Sequence, residues 1–257
     1  MGIYDRDYTK VNYAPRGRAP AFGSVRMWSI TTWLIIINVA VYLLDRLLDN
    51  ATGGYNFYII VGDYRIPQHF APLEYWGHFS AFTAIAHLQL WRFITFQFLH
   101  ASPSHLIYNM LALFFFGPIM ESYLGSRRYL LFYLLCGIAG AFSYLVLWGM
   151  HLLVTESWQP LVGASAGIFG ILIAAAQVAP DTTVLIYGIV PMRLRMMAWI
   201  LLGIAVYTVL TMGHNAGGEA AHLGGAILGV VLIRNPRVLR FADSIGASRS
   251  RMRYRGR

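Results

Sequence analysis

Charge is scarce in this sequence. Only 12% of its 257 residues are Asp, Glu, Lys or Arg, while 57% are hydrophobic. An average soluble domain carries about 25% charged residues, so an ordinary soluble enzyme is excluded at the outset. Cysteine is almost missing: the one present, Cys136, rules out an intrachain disulfide and a cysteine-based metal framework, and its place inside an apolar block reads as packing. No His-Glu-x-x-His occurs, so a zinc site of that type has no support. Gly62-Asp63 lies outside the apolar blocks, which speaks against an aspartyl pair inside a membrane. Strands alternating with helices are not readable, so a soluble α/β-hydrolase is unsupported. The blocks show no repeat and no charge at mid-block, which argues against a transporter or channel.

What is present is apolar sequence in six blocks: Met27–Leu48, His105–Leu124, Tyr129–Leu153, Gly163–Val178, Met196–Met212 and Gly217–Ile233. Their 16 to 25 residues match the roughly 17–25 that cross a bilayer's hydrocarbon core. With six spans, 17 of the 20 Lys and Arg residues fall on one side, leaving only Arg46, Arg65 and Arg92 opposite. Cytoplasmic segments carry the basic excess, so both termini are expected in the cytoplasm, and an odd number of spans would destroy the partition. The expected fold is an all-α, six-helix membrane bundle. A cytoplasmic tail at 1–26 precedes the membrane domain at 27–235, and a basic cytoplasmic tail follows at 236–257. No cleavable signal is expected, the first span serving as the targeting anchor. The run Arg249–Arg255 suits anionic lipid headgroups. A nucleic-acid role for it lacks an accompanying folded basic domain.

Between the first two spans lies a long outer segment, 49–104. Within it Gly54–Pro67 alternates enough for a short hairpin, and Leu73–Leu99 has the aromatic content of an interfacial segment.

The second, fourth and sixth spans all run inward from the outer face. Each carries its unusual polar residues within about its first five positions: His105 and Asn109, Ser165, and His222. At 1.5 Å per residue these four lie within about 8 Å of the outer helix ends. His105 and Asn109, four apart, share a helix face. Ser165 sits in Gly163-Ala164-Ser165-Ala166-Gly167, which taken alone reads as a small-residue helix contact. His222 alone reads equally as a packed histidine. A stripe of Ala221, Gly225 and Gly229 runs beside it, suited to close helix approach. Interhelical hydrogen bonds in membranes average only about 0.6 kcal/mol, too little to account for the whole set as glue. Together the four offer a nucleophile, a base and hydrogen-bond donors at one depth.

These residues resemble the rhomboid family of intramembrane serine proteases. The similarity rests on Trp91-Arg92, His100, His105-x-x-x-Asn109, Glu121 with Gly125-Ser126-Arg127, Gly163-Ala164-Ser165 and Ala221-His222-Leu223-Gly224-Gly225. It implies a Ser165/His222 catalytic dyad with His105 and Asn109 in the oxyanion hole. Phe169 would stack on His222, and Trp91, Arg92 and Glu121 would brace the outer loop. The fifth span and the loop Gly213–Gly217 would form gate and cap. The implied activity is cleavage of transmembrane segments of other membrane proteins near the outer membrane face, without metal or cofactor. The expected setting is a bacterial inner membrane, with membrane lipid as the surrounding partner. Two departures stand out: Ala166 replaces the glycine that many members carry after the serine, and Phe169 replaces a tyrosine found in some. A catalytically silent binder of membrane clients is the alternative function. Glu219, three residues before His222, is placed either to orient that histidine or to sit solvated at the helix entrance.

Overall fold

The computed structural model describes residues 28–61, 64–153, 157–186 and 189–244. The tail 1–26, the run Arg249–Arg255 and Gly62-Asp63 lie outside these residues. Helix α1 (Ile30–Thr52) starts where the Ser29 side chain accepts from Thr32 N–H, and it stops at Gly53 with φ 75°. The outer segment then folds as β1 (Tyr55–Val61) paired antiparallel with β2 (Tyr64–Phe70), Tyr55 lying opposite Phe70. Short helix α2 (Pro72–Gly77), a single π turn at Phe82–Ala86, α3 (Arg92–Thr95) and a 3-10 turn at Phe96–Phe98 complete it. Helix α4 (Pro103–Leu124) is capped by Ser102, with proline at its first position. Gly125, at φ 78°, ends α4 and opens α5 (Ser126–Gly149) in a single residue. After a long connection come α6 (Ser165–Val178), the strand pair β3 (Thr183–Ile186) and β4 (Val190–Arg193), α7 (Leu194–Leu210) and α8 (Ala216–Arg234). A 3-10 turn, Pro236–Arg240, and α9 (Phe241–Ser244) occupy the start of the expected basic tail.

Four of these helices, α1, α4, α5 and α8, are long and apolar enough to cross a membrane, while α6 and α7 are apolar but shorter. They expose apolar side chains such as Leu43, Phe114, Phe142, Trp199, Leu210 and Ile227, a surface that hydrocarbon rather than water accommodates. The protein is mostly helical, in keeping with the expected all-α class, and it adds two short antiparallel strand pairs. The outer pair falls where the alternation of Gly54–Pro67 suggested it. The second, β3–β4, was not expected: β-branched Thr183, Val184 and Val190 follow a Pro180-Asp181 turn, in a stretch too short to show a period.

Helix α6 lies at the centre, against α4, α5, α7 and α8. From Ala166 to Ala175 all but Phe169 are buried, as expected of a helix that is apolar all round. Its 14 residues reach only about 21 Å, less than the roughly 30 Å of bilayer hydrocarbon.

Candidate active site

The chain leading to Ser165 is held by backbone pairing to the outer segment. Phe79 and Leu161 exchange hydrogen bonds of 3.0 and 2.7 Å, and Gly163 N–H donates to the Phe96 carbonyl at 2.9 Å. Gly163 sits at φ +131°, and a Cβ there would lie 2.8 Å from the His105 ring and 3.6 Å from Ser165 Oγ. Only glycine lets the backbone turn here while the imidazole of α4 approaches the start of α6.

Small residues set the approach of α6 to α8. A Cβ on Gly229 would stand 2.7 Å from the Gly170 carbonyl oxygen, and one on Gly225 would overlap the Ala166 carbonyl. On α5, Gly140 faces both Ala166 and Ala221 in the same way. With Ala166 wedged among Gly140, Ala221 and Gly225, its neighbour Ser165 and the neighbouring His222 are brought to one level. The stripe Ala221-Gly225-Gly229 thus makes the close contact that its spacing suggested.

The Phe169 ring lies parallel to the His222 imidazole, centroids 4.2 Å apart with 6° between planes. Ser165 is one turn before Phe169 and therefore on the same face of α6. Both, with His222, His105, Asn109 and Tyr144, line a cavity of about 780 Å³ that the loop Met212–Asn215 and the start of α8 also border. Among the described residues no hydrogen bond joins Ser165 to His222. Such bonds are often long in free enzymes and tighten when substrate binds. On its other side His222 Nδ1 is 2.8 Å from Glu219 Oε2. The Asn109 amide donates to the His105 carbonyl at 2.9 Å, which leaves its second N–H free to donate elsewhere. The set therefore combines a hydroxyl, an imidazole and amide and imidazole donors around one space.

The supporting residues fall into two groups. Arg92 is buried and donates to Gln89 Oε1 at 2.5 Å, His78 O at 2.6 Å and Tyr75 O at 3.0 Å, while half-exposed Trp91 donates from Nε1 to Trp76 O at 3.2 Å. Both bind parts of the outer segment to one another. Glu121 does not, and the expectation that it braces the outer loop is corrected. It accepts from Ile30 N–H, Thr31 N–H, the Thr31 hydroxyl and Ser126 Oγ, so it satisfies the start of α1 and ties it to α5. The reason is helix length: Glu121 lies 16 residues after His105, about 24 Å along α4, at the end away from the cavity.

His100 is buried with its ring 5.0 Å from that of His105 at 64°, and burial holds its pKa down at about 3, so it packs as a neutral ring. Tyr144 and the stretch Gln159–Val162 also line the cavity; no pattern in the sequence marks them. Met212 and Asn215 in the bordering loop have φ of 50° and 66°, a left-handed conformation that is unusual for methionine. No group of three or more His, Cys, Asp or Glu among the described residues could hold a metal ion.

Known proteins share much of this sequence. The Rhomboid domain family model matches residues 87–234, from the outer segment to the end of α8. Rhomboid protease AarA of Providencia stuartii is 28% identical over 232 residues, covering 84% of this chain and 76% of that protein. Rhomboid protease GluP of Bacillus subtilis (strain 168) is 33% identical over 148 residues, 57% of this chain and 27% of the relative. Rhomboid protease GlpG of Yersinia pseudotuberculosis serotype I is 26% identical over 203 residues, 79% and 61% respectively. The matched regions thus span from about a quarter to about three quarters of these relatives' lengths.

Proposed function

This chain belongs to the rhomboid family and is an integral membrane protein, and from that premise we propose that it is an intramembrane serine endopeptidase. Its substrates are transmembrane segments of other membrane proteins, cut near the outer membrane face. Ser165 Oγ attacks the scissile carbonyl carbon while His222 Nε2 takes the hydroxyl proton. His222 then returns that proton to the leaving amine as the C–N bond breaks; water, deprotonated by the same nitrogen, attacks the acyl carbon, and the proton passes to Ser165 Oγ as the acyl group is released. The Asn109 amide, the His105 ring and backbone N–H groups near Ser165 hold the oxyanion. The chemistry assigned to these side chains calls for no metal or cofactor.

The proposed arrangement has six spans, residues 27–235, with the tails 1–26 and 236–257 in the cytoplasm of a bacterial cell and the site open to the outer side of its inner membrane. Helix α7 and the loop Gly213–Gly217 serve as gate and cap.

The observation that carries this proposal is the parallel contact of Phe169 with His222, 4.2 Å between centroids, one helical turn from Ser165 in a shared cavity. The test is cleavage of a panel of single-span proteins in proteoliposomes. The intact protein is expected to cut some of them, and Ser165→Ala and His222→Ala none. The alternative is a silent rhomboid that binds membrane clients. Labelling by a serine-reactive fluorophosphonate separates the two: the protease labels and Ser165→Ala does not, whereas a silent binder does not label at all.

A further inference from the structure

We propose that Glu219 is a positioning residue for His222, so that the site works as a serine–histidine–glutamate relay; this rests on the protease function proposed above. Three contacts define the imidazole. Nδ1 meets Glu219 Oε2 at 2.8 Å, one ring face lies on Phe169, and the remaining edge borders the cavity that holds Ser165. Nδ1 and Nε2 point away from each other across the ring, so a carboxylate at Nδ1 turns Nε2 toward that space.

The pairing also selects the tautomer. An ionised carboxylate is an acceptor only, so neutral His222 carries its proton on Nδ1 and keeps the Nε2 lone pair free as the base. When the Ser165 proton arrives on Nε2, the ring becomes an imidazolium and Glu219 stabilises its charge without taking the proton. Both side chains are well shielded, 14% exposed for His222 and 19% for Glu219, so water screens this stabilisation little.

Glu219 also lies in the first turn of α8, where a carboxylate complements the helix dipole. That role alone would not require the side chain to turn onto His222, nor would it alter the pH dependence of catalysis. The other titratable groups around the cavity are His105 and Tyr108 of α4, Tyr144 of α5 and His214 of the loop before α8. Helix α6 contributes no charged side chain, and α7 offers only exposed Tyr207 towards this end. Among the described residues the Glu219 carboxylate is therefore the one anion beside the ring.

The experiment compares intact protein, Glu219→Gln and Glu219→Asp in proteoliposomes with a cleaved single-span substrate. For Glu219→Gln, kcat is expected to fall about 10- to 10³-fold, less than in a fully buried triad, with KM little changed. The acid limb of its pH–rate profile is expected to move to lower pH, because the imidazolium has lost its anion. Glu219→Asp, which keeps the charge, is expected to recover part of the rate and the original limb. If intact protein cleaves and Glu219→Gln keeps its kcat and pH profile, the Glu219 assignment fails while the protease function stands. If intact protein neither cleaves nor labels, the protease function fails and the relay with it. Should the variants not fold, histidine ¹⁵N NMR of the intact protein decides, with the His222 signal identified by its loss in His222→Ala. A neutral ring protonated at Nδ1 supports the relay, and one protonated at Nε2 overturns it.

Discussion

Gly163 shows how much of the site depends on a missing side chain. At φ +131°, with the His105 ring 2.8 Å from where a Cβ would stand, Gly163→Ala must both strain the backbone and push His105 aside. Such strain costs about 1–3 kcal/mol, and a displaced oxyanion donor costs about 10²–10³ in kcat. The expected outcome is a thermal midpoint lowered by a few degrees together with near-complete loss of cleavage, read in detergent and proteoliposomes respectively. Phe169 offers a gentler test. Phe169→Tyr keeps the ring against His222 and should retain activity, whereas Phe169→Ala frees the imidazole and should lower kcat on the order of tenfold. At this scale the sequence was most legible where a polar residue interrupts an apolar block, as Ser165, His222, His105 and Asn109 do. It was least legible where a role depends on which of two neighbours a side chain chooses. Glu219 had two plausible destinations, and only the folded helix turns it onto Nδ1. Glu121 resembled an outer-loop brace by motif alone, although the length of α4 carries it to the other end.

Helix packing turns small residues into a measurable requirement. At Gly229 a Cβ would come within 2.7 Å of the backbone of α6, and neither backbone can yield as a flexible side chain would. Gly229→Leu is expected to force α6 and α8 apart, destabilising the fold by about 1–3 kcal/mol or more. Because the same separation parts Ser165 from His222, cleavage should fall further than stability does; thermal unfolding and a steady-state assay measure the two. A second element-scale prediction concerns α2. Asp45 of α1 accepts from Leu73 N–H at 2.7 Å, and Arg46 lies 3.6 Å from Glu74, so α2 is anchored to the outer end of α1. Burial, opposed by Arg46, pushes the Glu74 carboxyl up to about 7. A raised folded-state pKa favours the protonated folded form. The stabilisation is complete below the usual glutamate value of 4.5 and is lost as pH rises towards about 7. Nearby His78, held down at about 4 by burial, acts in the opposite sense, destabilising as pH falls below its usual 6.5. The comparison that isolates Glu74 is therefore intact protein against Glu74→Gln, by amide exchange across α2. The variant should lack the loss of protection between pH 5 and 7, about the interval separating the two values. The long helices were readable from apolar length to within about a turn. The β3–β4 pair was not, because four-residue strands carry too few side chains to display a period of two.

The orientation of the whole molecule rests on its charge pattern and on whether short α6 completes a crossing. The arginines are not alike in their partners: outer Arg92 is bound by carbonyls, and outer Arg46 by Asp45, Asp49 and Glu74. On the other side Arg193 and Arg195 share only the exposed carboxylate of Asp181 among the described ion pairs. Those basic side chains fit the cytoplasmic face, provided the chain passes through the membrane between Gly149 and Asp181. Helix α6 supplies only about 21 Å of that passage, so the shortfall must be met by a locally thin bilayer or by water reaching down to Ser165. A re-entrant α6 would instead return Asp181 to the outer side and leave five crossings. Cys136 makes the distinction accessible to experiment, because the one native thiol is fully buried and introduced cysteines report alone. In intact cells a membrane-impermeant maleimide is expected to label Tyr58→Cys, whose side chain is exposed in the outer hairpin. Arg127→Cys and Asp181→Cys are expected to label only after permeabilisation. Labelling of Asp181→Cys in intact cells would show that α6 turns back. It would also remove the common inward direction of α4, α6 and α8 on which the shared depth of Ser165, His105 and His222 was reasoned from the sequence.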